Sequence, residues 1–265
     1  MAGFVTDMGG NIVEAEQHTD THDGMFFQRV EFTTDAVTVA DDELGGCFAP
    51  VAERFAMDAQ LRFTEWRPRT AILVSKPPHC LADLLARAHT GELDIDVGQV
   101  IANQPDNESL ARVFGVPFHH MPVEDGDRAA QEAAVDERLA ADGTELVVLA
   151  RYMLILSPWF VDRWAGRLIN IHHSFLPAFV GASPYRQAHD RGVKVIGATA
   201  HYVTAGLDEG PIIEQDVTRV SHRDDVATLT RRGRDLEVIV LARALRAHLS
   251  HRILVWGNRT IVFGS

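Results

Sequence analysis

The chain has 265 residues, of which 46% are hydrophobic and 23% charged, and its net charge is −12. This composition is ordinary for a soluble globular protein and provides material for one large or two smaller domains. The acidic balance argues against nucleic acid as a partner, and no apolar run reaches the roughly 20 residues that cross a bilayer. Cys47 and Cys80 fit neither a disulfide framework nor a zinc pattern, and the N-terminus lacks a secretory signal. We therefore expect a cytoplasmic protein that acts on a small molecule.

The first 66 residues predict a small α+β domain. The stretches "NIVEAEQ" (11–17) and "MFFQRVEF" (25–32) are predicted strands. A helix is predicted at "CFAPVAERFAM" (47–57), which has one apolar face, and a third strand at the alternating "QLRFTEW" (60–66). A linker follows, so we expect one domain over residues 1–66 and a second over 67–265.

The second domain alternates predicted strands with helices. Strands are predicted at "TAILVS" (70–75), "VGQVIA" (97–102), "FHHMPV" (118–123), "ELVVLARYM" (145–153), "LINIHH" (168–173), "KVIGATAHYV" (194–203) and "PIIEQDV" (211–217). Helices are predicted at 80–88, 108–115 and 128–141, from Ser157 to Gly166, and from a Ser221 cap to about Leu249. The last element, "RILVWGNRTIVF" (252–263), predicts a hairpin. This alternation indicates an α/β fold with a largely parallel sheet.

Polar side chains interrupt the apolar stretch "NIHHSFLPAF" (170–179). Because alternate residues of a strand share a face, Asn170 and His172 are predicted to point the same way and His173 the opposite way. His201 ends the next strand, and Asp208 lies just before Gly-Pro. An amide, imidazoles and a carboxylate at strand ends can stabilise an oxyanion and transfer protons.

Residue types alone leave other interpretations open. A single histidine in a strand is usually a core residue, and an aspartate before glycine is usually a turn former. A metal site formed by His172, His201 and Asp208 is a further alternative. An NAD site is disfavoured, because no glycine-rich loop follows "TAILVS".

The stretches "NIHHSFLPAF" and "HYVTAGLDEGPIIEQ" (201–215) resemble the folate-dependent formyltransferase family. That family has a catalytic Asn, a His two residues later, and an Asp in a Leu-Asp-x-Gly-Pro context. The resemblance implies that Asn170, His172 and Asp208 are catalytic, and that neither a metal nor a separate cofactor is required. Because "VVLARYMLILSP" (147–158) is similar to the family's pterin-pocket loop, the implied substrate-binding residues are Met153, Leu154, Ile155, Leu156, His201, Val203 and Thr204.

Two activities share this fold, namely formyl transfer to glycinamide ribonucleotide and hydrolysis by formyltetrahydrofolate deformylases. Pro77 and Pro78 have no N–H to bind a substrate phosphate after the first strand of the second domain. The double histidine at 172–173 resembles the deformylases, as does the N-terminal domain. The resemblance therefore implies hydrolysis of 10-formyltetrahydrofolate, which supplies formate and free folate for one-carbon and purine metabolism. Formyl transfer to an amine, and a catalytically silent sensor, are the alternatives.

The N-terminal stretch "EAEQHTD…GMFFQRVEF" resembles an ACT domain. The resemblance implies a mostly parallel, Rossmann-like formyltransferase sheet preceded by a ferredoxin-like ACT domain that lacks its first strand. It also implies a homo-oligomer and an amino-acid effector at Gly10, Asn11 and Ile12. Two residues depart from the family pattern, since Leu154 replaces a polar and Ser183 a basic residue.

Overall fold

The structure is a computed structural model that describes residues 1–178 and 183–264, so the last residue of "NIHHSFLPAF" and residue 265 lie outside the described residues. The chain divides into two units. The first comprises Met1–Glu65, Ser250–Leu254 and Ile261–Ser265, and the second comprises Trp66–Leu249 and Val255–Thr260. Among the described residues, no helix combines the length and apolar character needed to cross a membrane.

The first unit contains two helices and a small antiparallel sheet, which fits the predicted ACT-like unit. Its elements are α1 (Ala2–Asp7), β1 (Asn11–Asp20), β2 (Met25–Thr33) and α2 (Leu44–Arg54), and β1 pairs with β2. The strand predicted over 60–66 was wrong, because the described part of this unit offers that segment no partner strand and a strand's backbone groups need one. Its apolar side chains Leu61 and Phe63 are exposed.

Two C-terminal segments group with the first unit, whereas the sequence placed them in the second domain. The reason is hydrogen bonding to the antiparallel sheet. Arg29 Nε donates to the His251 carbonyl oxygen (3.3 Å), and the Gly264 amide donates to Glu16 Oε2 (2.8 Å). The predicted hairpin around Gly257 is present as β10 (Ile253–Trp256) and β11 (Arg259–Val262).

The second unit is built on a seven-stranded sheet of order β5-β4-β3-β6-β7-β8-β9. The strands are β3 (Arg69–Val74), β4 (Asp96–Ala102), β5 (Phe118–His120), β6 (Leu146–Leu149), β7 (Leu168–His172), β8 (Val195–Tyr202) and β9 (Ile212–Arg219). The strands from β5 to β7 are parallel, and β8 and β9 are antiparallel to their neighbours. The expectation of a mostly parallel α/β sheet is confirmed. The order reverses between β3 and β6, and ligands bind at such a switch point.

The helices of this unit are α3 (His79–Thr90), α4 (Glu108–Val113), α5 (Arg128–Ala141), α6 (Pro158–Arg163), α7 (Pro184–Arg191) and α8 (Val226–Leu249). Helix α7 was not predicted. Helix α8 begins later than expected, because Asp225 Oδ1 accepts from the Thr228 amide (2.8 Å) at its first turn. Ser221 instead accepts from the Arg223 amide in a preceding turn.

A buried apolar cluster fixes the carboxyl ends of the central strands. Its residues come mainly from β3, β6, β7, α5 and α6, and they are Ala71, Leu73, Ile101, Val135, Leu139, Val147, Leu149, Tyr152, Phe160, Val161, Trp164 and Leu168. Leu154, Leu156 and Val203 pack against this cluster from the loops that follow β6 and β8. The apolar Leu154, unexpected in the family pattern, is thereby explained.

Ser157 caps α6 as predicted and also binds a buried carboxylate. Its Oγ accepts from the Phe160 amide (3.3 Å) and donates to Glu132, which is 5% exposed and also accepts from the Ser157 amide. The serine therefore joins α5 to α6.

We expect Ser157→Ala to lower the free energy of unfolding by roughly 1–3 kcal/mol, because it removes a cap and a partner of a buried carboxylate. Chemical denaturation monitored by far-UV circular dichroism measures this change. Ser221→Ala is the matched control, since Ser221 is exposed and lies outside α8; we expect its effect to stay within about 0.5 kcal/mol. Equal effects of the two substitutions would contradict the prediction.

Candidate active site

Antiparallel pairing of β7 with β8 brings the predicted polar residues together. Asn170 lies directly opposite His201 in this pair, and Asn170 Nδ2 is 3.1 Å from His201 Nε2. His172, one strand repeat later, has its Nδ1 3.2 Å from Oδ2 of Asp208. The second oxygen of Asp208 is 3.8 Å from His201 Nε2. We call Asn170, His172 and Asp208 the trio; the structure places all three, with His201, at one site.

Hydrogen bonds determine the tautomer of His201. Its Nδ1 is 2.9 Å from the carbonyl oxygen of Tyr202, which can only accept, so Nδ1 carries the proton. In the neutral ring, Nε2 is then an acceptor for the Asn170 amide. Burial lowers the pKa of His201, so the ring is neutral at pH 7. His201 therefore orients the Asn170 side chain. The second N–H of Asn170 Nδ2 stays available to a ligand.

Gly210 permits this arrangement by steric means. A Cβ atom at this position would lie 1.8 Å from the Tyr202 carbonyl oxygen and 3.3 Å from His201 Nδ1. Any other residue would displace the acceptor that holds the His201 proton. Gly210 thus allows the Tyr202 carbonyl oxygen to keep its hydrogen bond with His201.

His172 presents an unused nitrogen toward the site. The residue is 5% exposed, and its buried Nε2 has no hydrogen-bond partner among the described residues. When the ring is protonated, Nε2–H is a donor; when it is neutral with Nδ1–H bound to Asp208, Nε2 is a proton acceptor. An unsatisfied buried polar atom is costly, which indicates that a ligand group belongs there.

Asp208 is held as a carboxylate. Burial raises its pKa, but the hydrogen bond from His172 and the charges of His172 and His201 outweigh burial and lower the pKa below its usual value. Its backbone has a positive φ of 56°, a conformation that aspartate tolerates better than most residues. Asp208 is consequently ionised at neutral pH and fixed by its loop.

Buried Thr199 and half-buried Gln215, which the sequence analysis missed, hold the loop after β7. Thr199 Oγ1 donates to the Ser174 carbonyl oxygen (2.8 Å) and accepts from the Leu176 amide (3.1 Å). Gln215 Nε2 donates both to Thr199 Oγ1 (2.9 Å) and to the Leu176 carbonyl oxygen (3.1 Å). These bonds fix the segment that contains the cis Leu176–Pro177 peptide bond.

Apart from His201, which lies in β8, the predicted substrate-binding residues lie in the loops that follow β6 and β8. In the loop after β6, Met153 and Ile155 are exposed (53% and 55%), while Leu154 and Leu156 pack on the core. Ser75, at the end of β3, holds this loop, because its Oγ accepts from the Met153 amide (2.9 Å). In the loop after β8, the amide of half-buried Val203 donates to the Leu168 carbonyl oxygen (2.9 Å), and Thr204 is exposed. Their contact with substrate stays a prediction.

The proposed effector residues lie at the turn from α1 into β1. Gly10 donates its amide to the Val5 carbonyl oxygen, and Asn11 and Ile12 begin β1, paired with Thr33 and Phe32. Effector binding there stays a prediction.

A second polar cluster, also missed, lies next to His173. Glu237 of α8, 1% exposed, accepts from Tyr185 OH (2.5 Å), lies 2.7 Å from His79 Nε2, and is 3.4 Å from Arg151 Nε. We call Glu237, Tyr185, His79 and Arg151 the Glu237 cluster. A charged residue among Leu236, Val240 and Leu241 was the available signal, since these apolar neighbours lie on the buried part of α8.

His173 joins the trio to the Glu237 cluster. Strand β7 ends at His172, and the His173 ring lies 5.0 Å from the His172 ring and 6.2 Å from the Tyr185 ring. Burial, with the charges of Arg151 and His172, lowers the pKa of His173 to about 3, so this ring is neutral.

The residues whose donor atoms converge most closely differ from His172, His201 and Asp208, the metal-site alternative in the sequence. Among the described residues, the donor atoms that converge within 4.8 Å belong to His79, Cys80 and Glu237. Glu237 is occupied by its hydrogen bonds and by Arg151, and burial raises the pKa of the Cys80 thiol well above its usual value. This group is therefore a hydrogen-bonded cluster with a protonated thiol, which is a poor metal ligand.

The fold and the site define a protein of the formyl transferase class. The family model described as "Formyl transferase" matches residues 68–245. A formyltetrahydrofolate deformylase from Synechocystis sp. is 52% identical over 99% of this chain and 92% of its own length. The crystal structure of a formyltetrahydrofolate deformylase from Pseudomonas syringae pv. tomato is 48% identical, with a TM-score of 0.96 over 99% of this chain and 88% of that one.

The chain belongs to the formyl transferase family, among the relatives named formyltetrahydrofolate deformylase. A glycinamide ribonucleotide transformylase from Symbiobacterium toebii is more distant, at 35% identity and a TM-score of 0.72. It covers 78% of this chain, and this chain covers 98% of it.

The tautomer of His201 can be measured directly. We expect long-range ¹H–¹⁵N correlation spectra of ¹⁵N-histidine protein to show His201 protonated on Nδ1, because that atom donates to Tyr202. Since burial lowers its pKa, the ring should stay neutral below pH 6.5, where an ordinary histidine becomes charged. Free histidine in the same buffer is the reference. An Nε2-protonated His201, or titration of His201 together with free histidine, would contradict this assignment.

Proposed function

We propose that this protein hydrolyses 10-formyltetrahydrofolate to formate and tetrahydrofolate. Similarity to deformylases over nearly the whole chain supports the substrate and the reaction. The observation that carries the chemistry is that two groups remain available to a ligand beside an ionised Asp208. They are His172 Nε2 and the second N–H of Asn170. In the cell, this reaction would supply formate and free folate.

In the proposed reaction, a water oxygen attacks the formyl carbon while Asp208 accepts one of its protons. The carbonyl oxygen becomes an oxyanion, which Asn170 Nδ2–H and protonated His172 Nε2–H stabilise. The bond from carbon to the folate nitrogen then breaks, and the proton held at Asp208 passes to that nitrogen. Tetrahydrofolate and formic acid leave, and the acid ionises to formate by giving the second proton of the water to solvent. Each acid–base or oxyanion contact typically contributes about 100-fold or more to the rate.

The folate is the substrate, and we propose that no metal or further cofactor takes part. Asn170 and His172 supply the positive polarisation that a metal would otherwise supply, and Asp208 supplies the base. The pterin would lie along Met153–Leu156 and along the loop from Val203 to Asp208, mostly on backbone groups.

Formyl transfer to an amine is the competing activity. The loop after β3 weighs against it, because Pro78 occupies the position before α3 and neither Pro77 nor Pro78 can donate an N–H to a substrate phosphate. A silent sensor is the remaining alternative, but a pure binding protein would not need a base paired with a buried imidazole. An amino-acid effector on the first unit and a homo-oligomeric assembly remain parts of the proposal.

The deciding experiment measures formate release from 10-formyltetrahydrofolate without any amine acceptor. We expect turnover, and no acceleration when glycinamide ribonucleotide is added. Formation of formylglycinamide ribonucleotide in place of formate when this acceptor is added would establish the transferase, and absence of both products would establish a binding protein.

Substitutions in the trio should separate chemistry from binding. We expect Asp208→Asn and His172→Ala each to lower kcat by about 100-fold or more, because each removes a contact made in the transition state. The dissociation constant for a non-hydrolysable folate analogue, measured by fluorescence titration, should change only severalfold.

The matched controls are His189→Ala and Asp190→Asn, which alter an exposed His–Asp pair with its ring nitrogen 3.3 Å from the carboxylate. These variants should retain native kcat. Near-native turnover in either trio variant would refute the assigned roles.

A further inference from the structure

A cleft of about 420 Å³ opens in the second unit outside the trio. Its lining includes three arginines and two histidines but a single carboxylate; these charged or titratable residues are Arg151, Arg186, Arg234, His79, His173 and Glu237. On a chain with a net charge of −12, three guanidinium groups around one cleft make its surface locally positive. Concave cationic surfaces attract anions.

The single carboxylate does not neutralise the arginines at the cleft surface. Glu237 is 1% exposed, and its oxygens are used within the Glu237 cluster by Tyr185, His79 and Arg151. The side chains of Arg186 and Arg234 are exposed and form no ion pair with a described residue. The cleft therefore keeps two uncompensated guanidinium groups.

Helix α7 adds to the positive potential of the cleft. Ser183, Pro184, Tyr185 and Arg186, at the start of α7, line the cleft, and no side chain caps this helix end. The start of a helix carries a partial positive charge, which supports the arginines without forming a site by itself.

The cleft adjoins the place where the proposed reaction releases its anion. His173 lines the cleft, and its ring lies 5.0 Å from the ring of His172, whose Nε2 faces the reacting group in our mechanism. Met153, from the proposed substrate loop, also lines the cleft. Hydrolysis of a formyl group produces a carboxylate at this position, and guanidinium groups bind carboxylates through charge-assisted hydrogen bonds.

We infer that this cleft is a small-carboxylate site, bounded by Arg186 and Arg234, that receives the formate released by the trio. The inference rests on the proposed hydrolysis for the identity of the carboxylate. Formate has three non-hydrogen atoms, which limits its affinity to the millimolar range.

The test measures formate binding to the full-length protein in the absence of folate. We expect ¹³C transverse relaxation of [¹³C]formate to show saturable millimolar binding to the native protein. The double variant Arg186→Gln/Arg234→Gln should bind formate about tenfold more weakly, because two charge-assisted contacts are lost at a partly solvated site. The inhibition constant of formate in the turnover assay should rise by the same factor.

The matched control is Arg191→Gln/Arg231→Gln, which removes the same charge from the same two helices at residues that do not line the cleft. This control should bind formate within about twofold of the native protein. Equal weakening in both double variants, or no saturable binding to the native protein, would overturn the inference. Inorganic phosphate is the competitor; if it binds more tightly than formate, the cleft is a phosphate site and the inference also fails.

The two proposals can fail separately. Native turnover without cleft-dependent formate binding would remove the inference and leave the hydrolysis. Formate binding that depends on Arg186 and Arg234, without any turnover, would refute the hydrolysis and leave a carboxylate site of another purpose.

Discussion

The antiparallel pairing of β7 with β8 is the constraint on which the site depends. A parallel neighbour would present its residues in a slanted register, whereas the antiparallel register places Asn170 and His201 directly opposite each other. That juxtaposition determines the orientation of the Asn170 amide and places the His201 ring beside Asp208. Strand pairing therefore changes from parallel to antiparallel at β7, where the proposed chemistry requires side-chain contact across strands.

Much of the fold can be predicted because its signals are local. Strands such as β3 and β6 are continuous apolar runs covered on both faces, and helix α5 agrees with its predicted bounds. The start of α8 is harder to predict, because Ser221 and Asp225 are both good capping residues. Only the hydrogen bond from the Thr228 amide to Asp225 distinguishes them. Helix α7 is short and polar, so its sequence carries almost no apolar periodicity.

The strand wrongly predicted over 60–66 and the missed Glu237 cluster share one physical cause, which is dependence on distant partners. Residues 60–66 alternate correctly for a strand, but alternation does not provide a neighbouring strand. The trio was predicted because two short stretches resemble the folate-dependent formyltransferase family, whereas the residue types alone left other interpretations open. The Glu237 cluster was not, because its members come from four separate parts of the chain and each has an ordinary interpretation in its own element.

Gly233 connects the longest helix of the second unit to this cluster. A Cβ atom there would lie 2.1 Å from the Tyr185 ring, so only glycine lets the Tyr185 hydroxyl reach Glu237. Glycine within a helix costs about 1 kcal/mol relative to alanine. Helix α8 is thus intrinsically less stable at Gly233, and the Tyr185 ring can pack against its backbone there. A residue with higher helix propensity at this position would stabilise the helix but would disrupt the Glu237 cluster.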